Sequence, residues 1–242
     1  MSAVPDLREA LARRFPDAQP LVYRTAAGVA TGIDELDGML PGGGLPRGGL
    51  TVWKPGGGAT AVLRAACDAV IRQGERSAWV DGSGMIGGPQ WSRGPLLVKP
   101  PGSLEALECT EELVRSGGFG LVVLGWAKPA GSLAVRLSRA VRAGGGALVM
   151  VTTDGSQAQL RLESGVETGR LEWRRGVFGE PAEVVSVILG VRAWSLGWSG
   201  RTEFRLPVLG HDPRSGLDPL LVDRRGAPRR AVWPAGSRRA RS

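Results

Sequence analysis

The sequence predicts an α/β fold with a mainly parallel central sheet, flanked by helices and completed by a β-rich C-terminal part. Residues 119–126 and 147–153 are apolar almost throughout, which is typical of strands that are buried on both faces. Segments with helical periodicity alternate with these strands, as they do in parallel sheets. From about Leu171 this periodicity ends and segments with strand character follow. A chain of 242 residues is long enough for one compact domain with extensions.

The chain begins with a segment that predicts a short amphipathic helix at residues 5–15. Prolines mark both of its ends. The apolar residues that recur at helical spacing share one face, and they include Leu7, Leu11 and Phe15. We assign residues 1–30 to this helix and a linker, residues 31–210 to a core domain, and residues 211–242 to an arginine-rich tail that is expected to be flexible.

The core domain then alternates between strands and helices. Glycines and prolines predict tight turns before the first strand. The predicted helices cover residues 59–73, 103–118 and 132–146, with Ser103 as the N-cap of the second. The predicted strands of the parallel part cover residues 50–53, 77–81, 96–100, 119–126 and 147–153. The β-rich part contains predicted strands at residues 170–175, 184–194 and 201–209.

Three consecutive glycines connect the first core strand to the next helix. A phosphate-binding loop occupies this position in other folds, but it carries Lys and then Ser or Thr directly after its last glycine. Ala59 stands at the lysine position here, and the nearest lysine, Lys54, precedes the glycines. We therefore interpret the segment as a tight turn that lets the helix pack close to the sheet. The whole turn reads Lys54, Pro55, Gly56, Gly57, Gly58, Ala59 and Thr60.

The segment that precedes this turn resembles the start of the RecA-like recombinase core. The resemblance rests on an ordered run of three elements, namely Thr31-Gly32, Leu36-Asp37 and Gly43–Gly48. It implies an ATPase fold, but the groups that perform the chemistry do not follow. Ser83 stands where the resemblance implies a catalytic glutamate, and the strand at residues 121–126 lacks the aspartate that supports Mg²⁺. The resemblance thus implies a RecA-like core without ATPase activity and without a cofactor.

A RecA-like core with a degraded loop, a short N-terminal helix and an arginine-rich end resembles the ImuA group of proteins. These are RecA-like, SulA-related accessory proteins of SOS mutagenesis in bacteria. The resemblance implies a non-catalytic role in damage-induced translesion synthesis. The implied partners are RecA and an ImuB-type Y-family polymerase homologue, and through the latter an error-prone C-family polymerase. The alternatives are a RecA-family ATPase or DNA-binding recombinase paralogue with an unorthodox phosphate loop, and a SulA-like cell-division inhibitor.

The charge of the chain is concentrated at its C-terminus. The net charge is +8, and the last 20 residues, with seven arginines and one aspartate, carry +6 of it. Such a tail suits an acidic partner or nucleic acid, although a solvated end has the same composition. We expect it to bind the polymerase homologue or, weakly, DNA. The candidate residues are Arg224, Arg225, Arg229, Arg230, Trp233, Arg238, Arg239 and Arg241. The apolar stripe of the N-terminal helix is the candidate surface for RecA.

Other residue types exclude several classes of function. No apolar run approaches the roughly 18 residues of a membrane span. Cys67 and Cys109 have no paired spacing, which argues against a disulfide framework and suits the reducing cytoplasm. His211 is the only histidine, so a histidine-based metal site is not expected. Residues 152–170 take the place of a recombinase DNA-binding loop, but they hold few basic residues, so we expect a loop without strong DNA binding there.

Overall fold

A computed structural model describes residues 27–84, 86, 91, 94–126, 131–154 and 157–208. Its helices are α1 (Asp34–Met39), α2 (Ala59–Arg72), α3 (Ser103–Arg115) and α4 (Gly131–Gly144). Its strands are β1 (Leu50–Lys54), β2 (Ser77–Asp81), β3 (Leu96–Val98), β4 (Leu121–Gly125), β5 (Ala147–Val151), β6 (Leu160–Arg175), β7 (Pro181–Ser195) and β8 (Trp198–Pro207). The predictions for Leu7, Leu11, Phe15, His211 and the tail residues from Arg224 to Arg241 lie outside these ranges.

The eight strands form one mixed sheet in the order β3-β2-β4-β5-β1-β6-β7-β8. The pairs from β3 to β6 are parallel, and β6, β7 and β8 are joined by antiparallel pairing. The predicted fold class is therefore confirmed: a mainly parallel sheet flanked by helices, with an antiparallel β-rich end.

Helices cover both faces of the parallel part of the sheet. One face packs against α2, whose buried residues join a cluster that includes the fully buried side chains of Trp53 and Trp79. The other face packs against α3 and α4 in a second cluster. Strands β6–β8 contribute Leu162, Leu189 and Phe204 to the first cluster only. Charged side chains occupy the opposite face of these three strands, as expected for an antiparallel sheet with one solvated face.

The segment before β1 contains a helix where tight turns alone are predicted. The chain just before this helix is held by Asp37, whose carboxylate accepts hydrogen bonds from the Thr31 amide and hydroxyl at 2.8 Å and from the Gly32 amide at 3.1 Å. Gly28 and Val29, assigned to the linker, are bonded to Gly42 and Leu45. These bonds fasten the start of the described chain to the segment that leads into β1.

Two other predictions are wrong. Gly102, not Ser103, is the N-cap of α3; its backbone is extended, and no side chain caps the helix.

The second error concerns residues 152–170, which were predicted as a loop. Their second half is strand, because β6 begins at Leu160 and pairs in parallel with β1. Leu160 and Leu162 alternate with charged residues, so they reach the core while their neighbours face solvent.

None of the helices in the described ranges is long and apolar enough to cross a membrane.

Candidate functional site

The glycine turn lies at the carboxyl end of β1, where parallel strands direct their loops towards one edge of the sheet. Gly58 is the N-cap of α2 and has a φ of 81°, a conformation that residues with a Cβ rarely adopt. The amide of Ala59 donates to the Gly56 carbonyl at 3.4 Å, and the amide of Val62 donates to the Gly58 carbonyl at 3.0 Å. The chain thus turns directly from the strand into the helix.

The glycines allow this turn to lie against β6 and β7. A Cβ on Gly56 would approach the Ser164 carbonyl oxygen to 2.5 Å, and a Cβ on Gly58 would approach Leu189 Cδ1 to 2.5 Å. A Cβ on Gly57 would stand 3.0 Å from a Val166 methyl group. The side of the turn that faces these strands is therefore filled by the protein itself.

A short chain of hydrogen bonds fixes the turn in this position. The indole N–H of the buried Trp53 donates to Ser164 Oγ at 3.1 Å. Ser164 Oγ in turn donates to the Gly57 carbonyl oxygen at 2.8 Å. The turn therefore directs a carbonyl oxygen towards β6. A phosphate would be repelled by such an oxygen, because it requires N–H groups or cations around it.

Lys54 is engaged with β6 and not with the turn. Its ammonium donates to Glu163 Oε1 at 3.1 Å, and Arg192 Nη2 donates to Glu163 Oε2 at 2.9 Å. The hydrogen bond from Lys54, followed by that from Arg192, holds the pKa of Glu163 below its usual range. Lys54, the lysine nearest to the glycines, is thus held in an ion pair with Glu163.

The end of β2 uses its carboxylate to hold a turn. Asp81 is fully buried. It accepts hydrogen bonds from the Ile86 amide at 2.7 Å, the Ser83 hydroxyl at 2.8 Å and the Ser83 amide at 3.1 Å. Burial raises the pKa of Asp81, but these hydrogen bonds outweigh that effect, so its pKa lies below the usual range. Ser83, at the position of the implied glutamate, is one of the donors that keep this carboxylate ionised.

Tryptophan side chains on β2, after β2 and after β4 pack on the same core cluster as α2. Trp126 follows β4 at the place of the implied Mg²⁺-supporting aspartate; it has a φ of 53° and packs on the core beneath α2. Trp79 and Trp91 make an edge-to-face contact with ring centroids 5.0 Å apart. The guanidinium of Arg64 lies 4.6 Å from the centre of the Trp91 ring. The contact of Trp79, Trp91 and Arg64 was not predicted, because the three residues lie in separate segments of the chain.

A cleft opens beside Lys54 on the face of the sheet opposite α2. Its volume is about 280 Å³. The residues that line it are Val52, Lys54, Thr152, Thr153, Arg161, Leu162 and Trp194. Apolar and polar side chains share its lining, and Lys54 connects it to the ion pair with Glu163, so an anionic group could approach β1 here without entering the turn.

The described residues contain no group of three or more His, Cys, Asp or Glu side chains that could hold a metal ion. Both cysteines are free, and Cys67 is buried. Burial raises the pKa of the Cys67 thiol to about 12, which removes it as a nucleophile at neutral pH. The candidate site around the glycine turn thus consists of Lys54, Gly56–Gly58 and the residues of β6 and β7 that contact them. Asp81 does not belong to this site, because it holds the neighbouring turn after β2.

No protein-family model matches the chain, and a comparison with curated proteins finds no significant match.

Proposed function

We propose that the protein is a non-catalytic, RecA-like accessory protein of bacterial damage-induced mutagenesis. It acts in the cytoplasm by binding RecA and an ImuB-type Y-family polymerase homologue, and through the latter it meets an error-prone C-family polymerase. The partners come from the resemblance of residues 31–48 and of the overall organisation to that group. The proposal that the protein does not hydrolyse ATP rests on the glycine turn. This turn packs against β6 and β7, and its Gly57 carbonyl accepts a hydrogen bond from Ser164.

The chemistry of phosphoryl transfer explains why this observation matters. Transfer requires backbone amides and a lysine on the phosphates, a carboxylate that holds Mg²⁺ and a group that orients the attacking water. In this chain Lys54 is paired with Glu163, Trp126 replaces the Mg²⁺-supporting group, and Ser83 bonds to Asp81. The lysine, the Mg²⁺-supporting carboxylate and the group that orients the water are thus each absent or engaged in the fold. A role based on binding is consistent with all three.

Nucleotide binding and RecA turnover test the proposal together. The purified protein is titrated with a fluorescent ATP analogue and Mg²⁺, with RecA as the positive control. We expect no saturable binding up to about 1 mM, the upper end of common substrate affinities. The protein is then added to RecA on single-stranded DNA, and we expect the rate of ATP hydrolysis by RecA to change. Saturable ATP binding that Lys54→Ala abolishes would instead support the alternative of an ATPase with an unorthodox loop.

A variant of the N-terminal stripe shows whether the effect on RecA is specific. Leu11→Asp combined with Phe15→Asp places charge on the predicted apolar face and should remove the effect on RecA turnover. Circular dichroism and the unfolding transition serve as controls that the core is intact. If this variant still changes RecA turnover as the wild type does, the stripe is not the RecA-binding surface. If the wild type leaves RecA turnover unchanged, the proposed partnership with RecA is wrong.

A further inference from the structure

Strands β6 and β7 form an arm that extends beyond the rest of the sheet. The last pair between β7 and β8 is Ser186 with Pro207. Strands β6 and β7 remain paired beyond it, as far as Arg175 and Pro181. The amide of Val208, just after β8, still donates to the Val185 carbonyl at 2.9 Å, so we call residues 173–184 the arm. It is a two-stranded ribbon with no third strand beside it among the described residues.

The turn at the end of the arm, residues 176–180, carries two large apolar side chains. Val177 and Phe178 are each 94% exposed, and no other large apolar side chain in the described ranges is more exposed. We call this turn the tip. Water contact with a whole phenylalanine ring is unfavourable, and an aromatic side chain of this size supplies much of the energy of an interface when a partner covers it.

The charges near the tip are bonded within the arm. Arg174 pairs with Glu183 at 3.2 Å. Arg175 donates to the Gly179 carbonyl at 2.7 Å, and Glu180 accepts from the Phe178 amide at 3.0 Å. Positive and negative groups are balanced at this end of the molecule. The tip therefore suits a site that takes an aromatic side chain and has charges of both signs, and it does not suit a polyanion such as nucleic acid.

The solvated face of the same hairpin contains a hollow of about 250 Å³. Its floor is Gly165 of β6, which lies directly opposite Gly190 of β7. A Cβ on Gly165 would meet no atom within 4 Å, so the space above this pair is open. We call it the glycine hollow. The charged residues that surround it are Glu163, Glu167, Arg192 and Arg201.

We infer that the tip of one molecule docks into the glycine hollow of a second copy of the chain. Phe178 covers the cross-strand glycine pair, a position in which an aromatic ring supplies the packing that the glycines lack. Arg192 already lies over the Trp194 ring, 5.3 Å from its centre, so the guanidinium at the rim that can contact the face of the docked ring is that of Arg201. Glu180 of the tip and Arg175 beside it carry charges of both signs, and they meet charges of both signs on the rim.

The tip cannot reach the glycine hollow of its own molecule, because the two lie far apart along β7. From Gly190 to the tip the chain runs along β7, a distance of roughly 30 Å at about 3.3 Å per residue. A paired hairpin cannot fold back over that length to reach its own hollow.

Because tip and hollow are different surfaces, the contact is heterologous, and it propagates as an open chain of copies unless the rotation closes a ring. One side chain pair and a small rim make it weak, well below the area of a standard interface.

Sedimentation velocity of the full-length protein over a range of concentrations is the first measurement. The sedimentation coefficient of the wild type should rise with concentration, whereas the double variant Val177→Ser, Phe178→Ser should sediment as a monomer throughout. Leu196→Ser is the matched control, because Leu196 is also exposed, at 74%, but lies in the turn between β7 and β8. A wild type that stays monomeric at the highest concentration, or a tip variant that associates like the wild type, overturns the inference.

A mixing experiment separates this contact from any other mode of association. Gly190→Val fills the hollow, and its Cβ meets only ordinary contacts, at 3.6 Å from Glu167 Oε1 and 3.9 Å from Glu203 Cγ. Gly165→Ala serves as a second blocked variant if the first unfolds. The blocked variant and the tip variant should each be monomeric alone, yet they should form a 1:1 heterodimer when mixed, because one retains the tip and the other the hollow. Absence of that heterodimer contradicts the inference. The experiment uses this protein alone and is independent of the proposed function.

Discussion

At the scale of single residues, Lys54 illustrates how a positive charge can remain near a glycine turn without serving a phosphate. It is the last residue of β1 and lies opposite Glu163 in the parallel register of β1 and β6. Its ammonium is therefore directed across the sheet towards Glu163. A lysine after the last glycine would instead stand in the first turn of α2. A shift of five positions in the sequence, from Lys54 to Ala59, thus decides whether the charge pairs with the sheet or lies in the loop.

The pKa of Glu163 provides a test of this pairing. Its ordinary value is 4.5, and the hydrogen bonds from Lys54 and then Arg192 lower it in the folded protein. We expect Lys54→Met to raise the pKa of Glu163 towards the ordinary value, and Arg192→Met to raise it less. Carboxyl chemical shifts followed by NMR during a pH titration measure both effects. Arg170→Met, which removes a partner of Glu203 instead, should leave the pKa of Glu163 unchanged.

The same pKa fixes the pH range in which the pair stabilises the fold. The folded value lies below the unfolded one, so the stabilisation is complete above the ordinary pKa and is lost as the pH falls through the folded value. The difference in unfolding free energy between the wild type and Lys54→Met should therefore shrink with acidification. A difference that is independent of pH across this range would show that Lys54 does not pair with Glu163.

At the scale of elements, the glycine turn is constrained by its packing against β7 as well as by its backbone conformation. Gly58 and Gly74 lie at opposite ends of α2, and both have a positive φ, 81° and 83° respectively. Leu189 stands where a Cβ of Gly58 would go, whereas a Cβ on Gly74 would meet nothing within 4 Å. The two glycines thus share the conformational requirement, and only Gly58 has the packing requirement.

Alanine at these two positions should therefore have different costs. We expect Gly74→Ala to lower the unfolding free energy by about 1 to 2 kcal/mol, the penalty of a left-handed conformation. Gly58→Ala should lower it by a further 1–3 kcal/mol or so, because the methyl group overpacks against Leu189. Urea denaturation measures both. In a Leu189→Val background the difference should decrease. Equal costs for the two substitutions would mean that the turn does not lie against β7.

The position of the glycine turn can be predicted from the sequence, but the residues of β6 that it contacts cannot. The run of glycines between an apolar strand and a helix is a local pattern, and β2 at Ser77–Asp81 and the start of α2 at Ala59 agree with the local prediction. Ser164, which bonds to Gly57, is 107 positions away in the chain, and Glu163 is 109 positions from Lys54. No periodicity links residues at such separations. Only the pairing of β1 with β6 brings them together.

The first half of β6 was missed for a physical reason of the same kind. Leucine and charged side chains alternate only over residues 160–163, and the rest of the segment to residue 170 is mostly polar and is interrupted by Gly165 and Gly169. A composition of this sort resembles a polar loop when no neighbouring strand is known. The pairing with β1 on one side and β7 on the other stabilises it as a strand. The later strands were predicted because their apolar residues are more numerous.

At the scale of the whole molecule, the two parts of the sheet present different surfaces. Helices cover the central strands β1, β2, β4 and β5 on both faces, so these strands are largely apolar and form the core. Strands β6–β8 leave one face to solvent, and its arginines and glutamates form ion pairs, such as Arg192 with Glu163 and Arg205 with Glu172. Because these charges are mutually compensated, the solvated face offers little net attraction to a polyanion.

Most of the excess positive charge lies in the last 20 residues, so nucleic acid is expected to bind there. Deleting residues 223–242 removes seven arginines and one aspartate and lowers the net charge from +8 to +2. We expect the full chain to bind a single-stranded DNA oligonucleotide weakly in fluorescence anisotropy, with a log–log salt slope no steeper than about −5 for seven arginines on a single strand. The truncated chain should not bind, and its thermal unfolding transition should match that of the full chain.

A variant with every tail arginine changed to lysine separates charge from specific recognition. It keeps the net charge, so weak DNA binding should persist with a similar salt slope. Binding to the polymerase homologue should decrease if guanidinium groups make bidentate contacts with carboxylates there, since lysine cannot reproduce that geometry. Binding of DNA by the truncated chain with unchanged affinity would place the nucleic-acid site on the folded body, despite its compensated charges. That result would favour a recombinase-like role over an accessory protein that acts through its partners.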